Sequence, residues 1–304
     1  MSNESLLRFE RLGSDPFVTV SGGTGWTQTW TSLQAVLGHR RLLALLVRRD
    51  IKARYKDSFL GLLWTLINPI VQLVIYYVVM GLVLGAAHGI PDFAIYVFSG
   101  LTIFGLFSES LISTTGSILA NSGLVKKVYV PREVFPLAAI GSSLFTFAVQ
   151  LVVLIAATFL LASPPSPEGI LYFLPSVLII VVYATALGLL LSALNVYLRD
   201  VQYLTQVLLT IAMWASPIVY GWQMVSDVLK RADLPTWLLE VYTNNPLTLA
   251  VLGFHRTFWA AGTPADYPDN LMLRMLIAIG IGFVLLWLCQ RTFARLQGNF
   301  AQEL

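Results

Sequence analysis

Hydrophobic positions in this chain come in long uninterrupted blocks, not in the alternation of a half-buried strand or the stripe of a soluble amphipathic helix. The first block begins near residue 59 and continues through Tyr76, Tyr77 and Met80 to about residue 87. About 20 apolar residues in a helix cross a hydrocarbon core of about 30 Å, so the block reads as a membrane span. Five more follow, over about 93–115, 134–162, 170–196, 203–220 and 271–289. Between them stand helix breakers such as His88-Gly89-Ile90-Pro91-Asp92 and Pro164-Pro165-Ser166-Pro167. The segment 221–270 holds two shorter apolar pieces, 237–242 and 246–261. Both are too short to cross and read as interfacial or re-entrant helices. The pattern predicts an all-α polytopic membrane protein with six transmembrane helices.

Ahead of the first block the chain is polar, then basic. Residues 17–20 and 26–30 alternate around Ser21-Gly22-Gly23-Thr24-Gly25, a pattern compatible with a small hairpin or with a flexible tail. From residue 39 to 58 no proline intervenes, and Ile51, Tyr55 and Phe59 recur at four-residue spacing, which suits a helix lying in the membrane interface. The expected division is a cytoplasmic tail over 1–38, an interfacial helix over 39–58, a transmembrane domain over 59–290 and a cytoplasmic tail over 291–304. Under the six-span reading, 15 of the 19 Lys and Arg residues fall on one side, and Lys230, Arg231, Arg256 and Arg274 on the other. The positive-inside rule then puts both termini in the cytoplasm.

Composition narrows the chemistry. Hydrophobic residues make up 57% of 304 and charged residues 12%, about half the charged share of a soluble domain. That excludes an ordinary cytosolic enzyme. The net charge of +3 fits basic loops at a membrane surface, and no basic face is large enough for nucleic acid. A lone cysteine, Cys289, allows no disulfide framework and no thiolate metal cluster. His39, His88 and His255 lie far apart and read as interfacial polar residues, so no metal site is expected. The first apolar run starts too deep in the chain for a cleavable signal peptide. Glu109 is the one acid deep inside a predicted span; it is either hydrogen-bonded to Ser108, Ser110 or a neighbouring helix, or near a helix break, or else part of a transport path.

Five groups of residues go beyond a generic membrane protein. Arg49-Asp50-Ile51-Lys52-Ala53-Arg54-Tyr55, followed by Leu60-Gly61-Leu62-Leu63-Trp64 and then Asn68-Pro69, opens the first span. The loop after the second span carries Asn121, Lys126, Lys127, Val128, Tyr129, Pro131, Arg132, Glu133 and Pro136. Tyr197, Arg199 and Asp200 stand between the fourth and fifth spans, 217–220 closes the fifth, and Asn245-Pro246-Leu247-Thr248 follows, with Arg256 downstream. In order and position these resemble the ABC-2 type permeases that export polysaccharides, the membrane subunits of O-antigen, teichoic acid and galactan exporters. The resemblance covers residues 48–260.

The resemblance implies a half-transporter that acts as a homodimer above two copies of a separate ATP-binding subunit. It would move a polyprenyl-pyrophosphate-linked polysaccharide outward across the bacterial plasma membrane. The sequence has no Gly-Lys dipeptide and hence no phosphate-binding loop, so ATP and Mg are expected on the partner and no cofactor on this chain. By the same resemblance, Lys126, Lys127, Val128, Tyr129, Pro131 and Arg132 belong to a coupling helix that docks on the ATPase, while Asn68, Pro69, Arg199, Asp200, Asn245 and Pro246 are motif positions. Arg48, Arg49, Lys52, Arg54 and Lys56 suit phosphate oxygens of the substrate, or else anionic lipid. A sliding glycan needs shallow, repeated contacts, and aromatic rings provide them. Tyr76, Tyr96, Phe104, Phe107, Trp214 and Tyr220 are the candidates, against their alternative roles in packing and interfacial anchoring. The other class considered is a membrane enzyme acting on polyprenyl-linked sugars. Its acids would come from Asp227, Asp233, Glu240, Asp266 and Asp269, which have no catalytic or metal-ligand spacing.

Overall fold

The computed structural model describes residues 34–56, 63–83, 85, 89–127, 130–161 and 163–304, and among them there is helix and loop but no strand. Among the described residues, a short helical stretch over 34–38 precedes α1 (Arg40–Tyr55), and α2 (Trp64–Tyr76) follows, prolonged by a π-helical stretch Tyr77–Val83. Then come α3 (Phe93–Ala120), the short α4 (Ser122–Lys127), α5 (Val134–Leu160), α6 (Ile170–Tyr197) and α7 (Val201–Trp214). Three short helices follow, α8 (Trp222–Arg231), α9 (Thr236–Thr243) and α10 (Pro246–Phe258), and the chain closes with α11 (Leu271–Leu296) and α12 (Phe300–Glu303).

Among the described residues four helices, α3, α5, α6 and α11, are long and apolar enough to cross a membrane. At 1.5 Å per residue each is about 40 Å long, more than the hydrocarbon core requires. The first and fifth predicted spans differ from the uniform helices that their hydropathy suggests. α2 carries Pro69 inside it, then widens into π geometry after Tyr76. α7 stops at Trp214, because Pro217 lacks an N–H and disfavours helical geometry for Ser216. Residues 216–219 are nonetheless fully enclosed in protein.

α3, α5 and α6 form the centre of the bundle, with α11 laid along α6 and α7 against α3. α3 and α6 approach closely where Gly188 faces Thr114; a Cβ at 188 would sit 2.5 Å from Thr114 Oγ1. Small residues let membrane helices meet backbone to backbone in this way. α10 is the wedge. It packs on both α6 and α3, and nearly all its side chains are buried. A Cβ at Gly253 would lie 2.3 Å from Ser176 Oγ and 2.6 Å from Met275 Cε, so this position holds the wedge tight. A second, smaller cluster (Leu46, Ile118, Val125, Phe135, Phe293, Phe300) closes the end where α1, α4 and α12 meet. The helix expected to lie flat in the interface packs lengthwise on α5, with Val47 at Gly141 and Arg54 at Thr146. The 1–33 tail, including the alternating stretch, lies outside the described residues.

Candidate functional site

Polar chemistry gathers at the two ends of the bundle. At the basic end, α1 presents Arg48, Arg49, Lys52, Arg54 and Lys56, all exposed. Four of them share a shallow groove of about 510 Å³ with Leu45 and Ala53. Arg54 points elsewhere: its Nη1 donates to Glu109 Oε1 on α3 and to Thr146 Oγ1 on α5 at 2.9 Å. Thr146 in turn donates to Glu109 at 3.2 Å. The intramembrane acid therefore has a cation and a hydroxyl as partners, neither of them Ser108 or Ser110. Arg49 makes the second attachment. Its Nη2 donates to Asp50 at 2.7 Å and to Asn121 Oδ1 at 2.8 Å.

Asn121 is also the residue that ends α3, donating from its side chain to Ser117 O at 2.8 Å. α4 starts at the next residue, as a separate helix with Lys126 and Lys127 exposed and Val125 buried. Past it, Pro131 and Arg132 are half-buried, and the Arg132 guanidinium lies 5.5 Å over the Phe300 ring of α12. Val128 and Tyr129 lie outside the described residues. Arg199 and Asp200 are exposed in the turn between α6 and α7, and a neighbour there, Tyr197, donates to Leu296 O at 2.7 Å.

The opposite end is aromatic. Tyr96 stacks on His255 of α10 with ring centroids 3.8 Å apart and meets Trp259 edge-on at 4.9 Å. The Tyr96 hydroxyl donates to the carbonyls of Pro217 (3.0 Å) and Tyr220 (2.8 Å), which the break after α7 leaves unpaired. Trp259 Nε1 donates to Pro91 O at 2.6 Å, tying α10 to the start of α3. Both ring nitrogens of His255 are buried, with no hydrogen-bond partner among the described residues. Asn245 caps α10, its Oδ1 accepting the Leu247 N–H at 3.1 Å with Pro246 in the first turn. On the surface of this end the Arg274 guanidinium donates to both oxygens of Glu240 and holds that carboxyl below its usual range.

The six aromatic candidates separate. Tyr96, Phe104 and Phe107 are packed in the core, where a ring has no face to offer a polymer. Trp214 is exposed and Tyr220 half-buried, the Tyr220 hydroxyl donating to Trp214 O at 2.7 Å. The side chain of Tyr76 lies outside what is described. Asn68 is exposed and Pro69 half-buried on α2. Sequence reasoning missed the Arg54–Glu109 pair and the Tyr96–His255–Trp259 stack. The acid at mid-span signalled that a partner must exist, but nothing signalled which.

The chain matches the ABC-2 type transporter family over residues 41–259. It is 29% identical to an O-antigen export system permease protein RfbA of Myxococcus xanthus over 266 residues, 88% of this chain and 96% of that one. A protein of the same name from Klebsiella pneumoniae is 27% identical over 264 residues, 86% and 95% of the two chains.

Proposed function

The chain belongs to the ABC-2 type transporter family, and from that premise we propose that it is the membrane subunit of an ATP-driven exporter of a lipid-linked polysaccharide. It works as a homodimer over two ATP-binding subunits in the bacterial plasma membrane, moving its cargo outward, with both of its own termini in the cytoplasm. The observation that carries this reading is the near-complete mutual coverage with proteins named as O-antigen export permeases. α4 adds support. It is a separate basic helix at the end rich in Lys and Arg, suited to docking on a partner that closes and opens.

In this reading α1 meets the phosphates of the cargo through Arg48, Arg49, Lys52 and Lys56, whereas Arg54 serves to fix the helix. Trp214 and Tyr220 are the aromatic contacts for the glycan. The break after α7 gives the fifth crossing an irregular outer half, and six crossings result when α2 and α7 are counted with the four long helices.

The test is dependence on the partner. The purified chain alone should hydrolyse no ATP, and export should stop when the catalytic Glu of the ATP-binding subunit is removed. Export that continues on a proton gradient with that Glu absent would overturn the assignment. Topology has its own check, in a Cys289→Ala background. Cysteines at Ser166 and Asp266 should react with an impermeant maleimide from outside, and cysteines at Ser122 and Gln202 should not.

A further inference from the structure

A cleft of about 600 Å³ opens at the aromatic end between the start of α6, the end of α10 and the start of α11. Among the described residues Arg256 is the one cationic side chain that lines it. The backbone beneath this residue is fixed by close contact with α6. Thr257 Oγ1 donates to Gly169 O at 3.0 Å, and a Cβ at Gly169 would fall 2.2 Å from Arg256 O, so only glycine fits there. The guanidinium lies 5.1 Å over the Tyr267 ring, an arrangement that orients a cation without neutralising it. Tyr172 forms the facing wall. Asn270, which precedes α11, makes no side-chain hydrogen bond to the first turn of that helix, and the residues of that turn line the cleft.

Two acids stand nearby and must be counted. Asp266 is engaged, accepting from Thr263 N and Thr263 Oγ1 at 2.7 Å each. Asp269 is exposed at the rim, where its carboxylate can turn to water. The lower edge of the cleft is a different material. Leu273 and Leu276 line it and begin an exposed apolar stripe that continues through Ile277, Ile281 and Val284 along α11. From Leu273 to Val284 the helix rises about 16 Å, roughly half of a 30 Å hydrocarbon core and hence one leaflet deep.

A preoriented guanidinium above an apolar track one leaflet long is complementary to an amphiphile with a charged head. We propose that the Arg256 cleft binds the phosphate of an anionic lipid headgroup, with the lipid chain lying along the Leu273–Val284 stripe. The assignment of this end to the outer leaflet rests on the exporter reading above. The phosphate has two possible sources, a resident anionic phospholipid or a polyprenyl phosphate carrier, and both present the same group to Arg256.

The test uses the full transporter, with its ATP-binding partner, in phosphatidylcholine nanodiscs. One of three photoactivatable lipids is added: phosphatidylglycerol, a polyprenyl monophosphate or, as the headless control, diacylglycerol. Crosslinks are mapped by peptide mass spectrometry. Both phosphate lipids should label residues 264–276, and diacylglycerol should label them about tenfold less, the scale of one charge-assisted contact. Arg256→Gln should remove that excess, while Arg256→Lys, which keeps the charge, should retain most of it. Preference for the polyprenyl phosphate would assign the cleft to the carrier; equal labelling would assign it to a headgroup lipid. Labelling unchanged in Arg256→Gln overturns the proposal. So does diacylglycerol labelling the wild type as strongly as the phosphate lipids do, a comparison that stands even where the variant fails to fold. Either failure leaves the ATPase-dependence test untouched, so the two readings fail separately.

Discussion

Replacing Glu109 probes the attachment of α1 to the bundle. The Arg54–Glu109 pair is neither fully buried nor fully exposed, with side-chain exposures of 37% and 26%. An exposed ion pair contributes about 0–1 kcal/mol, and removing one partner of a fully buried pair costs about 3–5 kcal/mol. Glu109→Gln keeps the volume and an acceptor, so the ion pair becomes a hydrogen bond from the charged Arg54 to a neutral oxygen. That difference is about 1 kcal/mol. Glu109→Leu removes the acceptor as well, leaves Arg54 and Thr146 facing an apolar side chain, and should cost about 2 kcal/mol or more. The assay is a double-mutant cycle with Arg54→Gln, read by equilibrium unfolding of the protein in nanodiscs. The expected coupling is about 1 kcal/mol, well above the ~0.3–0.5 kcal/mol scatter of independent sites. Because α1 sits beside the α3–α4 junction through Arg49 and Asn121, Glu109→Leu should also lower export while the ATP-binding partner stays bound. Additive single-variant effects would refute the pair as an attachment. A coupled cycle with normal export would refute its role in transport.

Other expectations follow from the packing. Gly253→Ala should destabilise by about 1–2 kcal/mol, since overpacking at Ser176 and Met275 exceeds the ~1 kcal/mol gained in helix propensity; Gly280→Ala on α11, where no atom lies within 4 Å, should be neutral or stabilising in the same thermal assay. Tyr96→Phe strands the carbonyls of Pro217 and Tyr220 and should cost about 1–3 kcal/mol, with proteolysis near residues 215–221 as the local readout. Glu240 has its pKa held down by Arg274, so the pair stabilises above the unfolded carboxylate value and the gain is lost as pH falls through the lowered one. Its share of the acid-induced drop in melting temperature should vanish in Glu240→Gln, and remain below about 1 kcal/mol because the pair is solvent-screened. Val128→Ala with Tyr129→Ala, which leaves Lys126, Lys127 and Arg132 in place, should weaken co-purification of the ATP-binding partner by about 2 kcal/mol, the scale of an interface hot spot. Unchanged co-purification would remove the coupling role from this loop.

The apolar blocks marked the four long helices well, because a span must satisfy its backbone internally and advertises itself by composition alone. What stayed hidden depends on residues distant in sequence. Residues 203–220 read as one span, yet the helix ends at Trp214 ahead of Pro217, and it is Tyr96, more than a hundred positions earlier, that holds the irregular backbone beyond. The Arg54–Glu109 pair joins positions 55 apart. Aromatic content likewise gave no view of orientation. Tyr96, Phe104 and Phe107 have the composition of a sugar-stacking track but pack against neighbouring helices, a distinction that depends on tertiary structure.

The short α7 also bears on how the protein is made. Fourteen residues rise about 21 Å, too little to cross a ~30 Å core, and the bare carbonyls after Trp214 are expensive in lipid. As it emerges from the ribosome this segment is not a self-sufficient span. The backbone that follows it is held by Tyr96 of α3, which is already synthesised, and Tyr96 in turn stacks on His255 of α10, which is not. These contacts are therefore complete only when some forty further residues have been translated and α10 can pack on α3 and α6. Substitutions in α10 should therefore reduce the amount of protein reaching the membrane before they alter anything it transports.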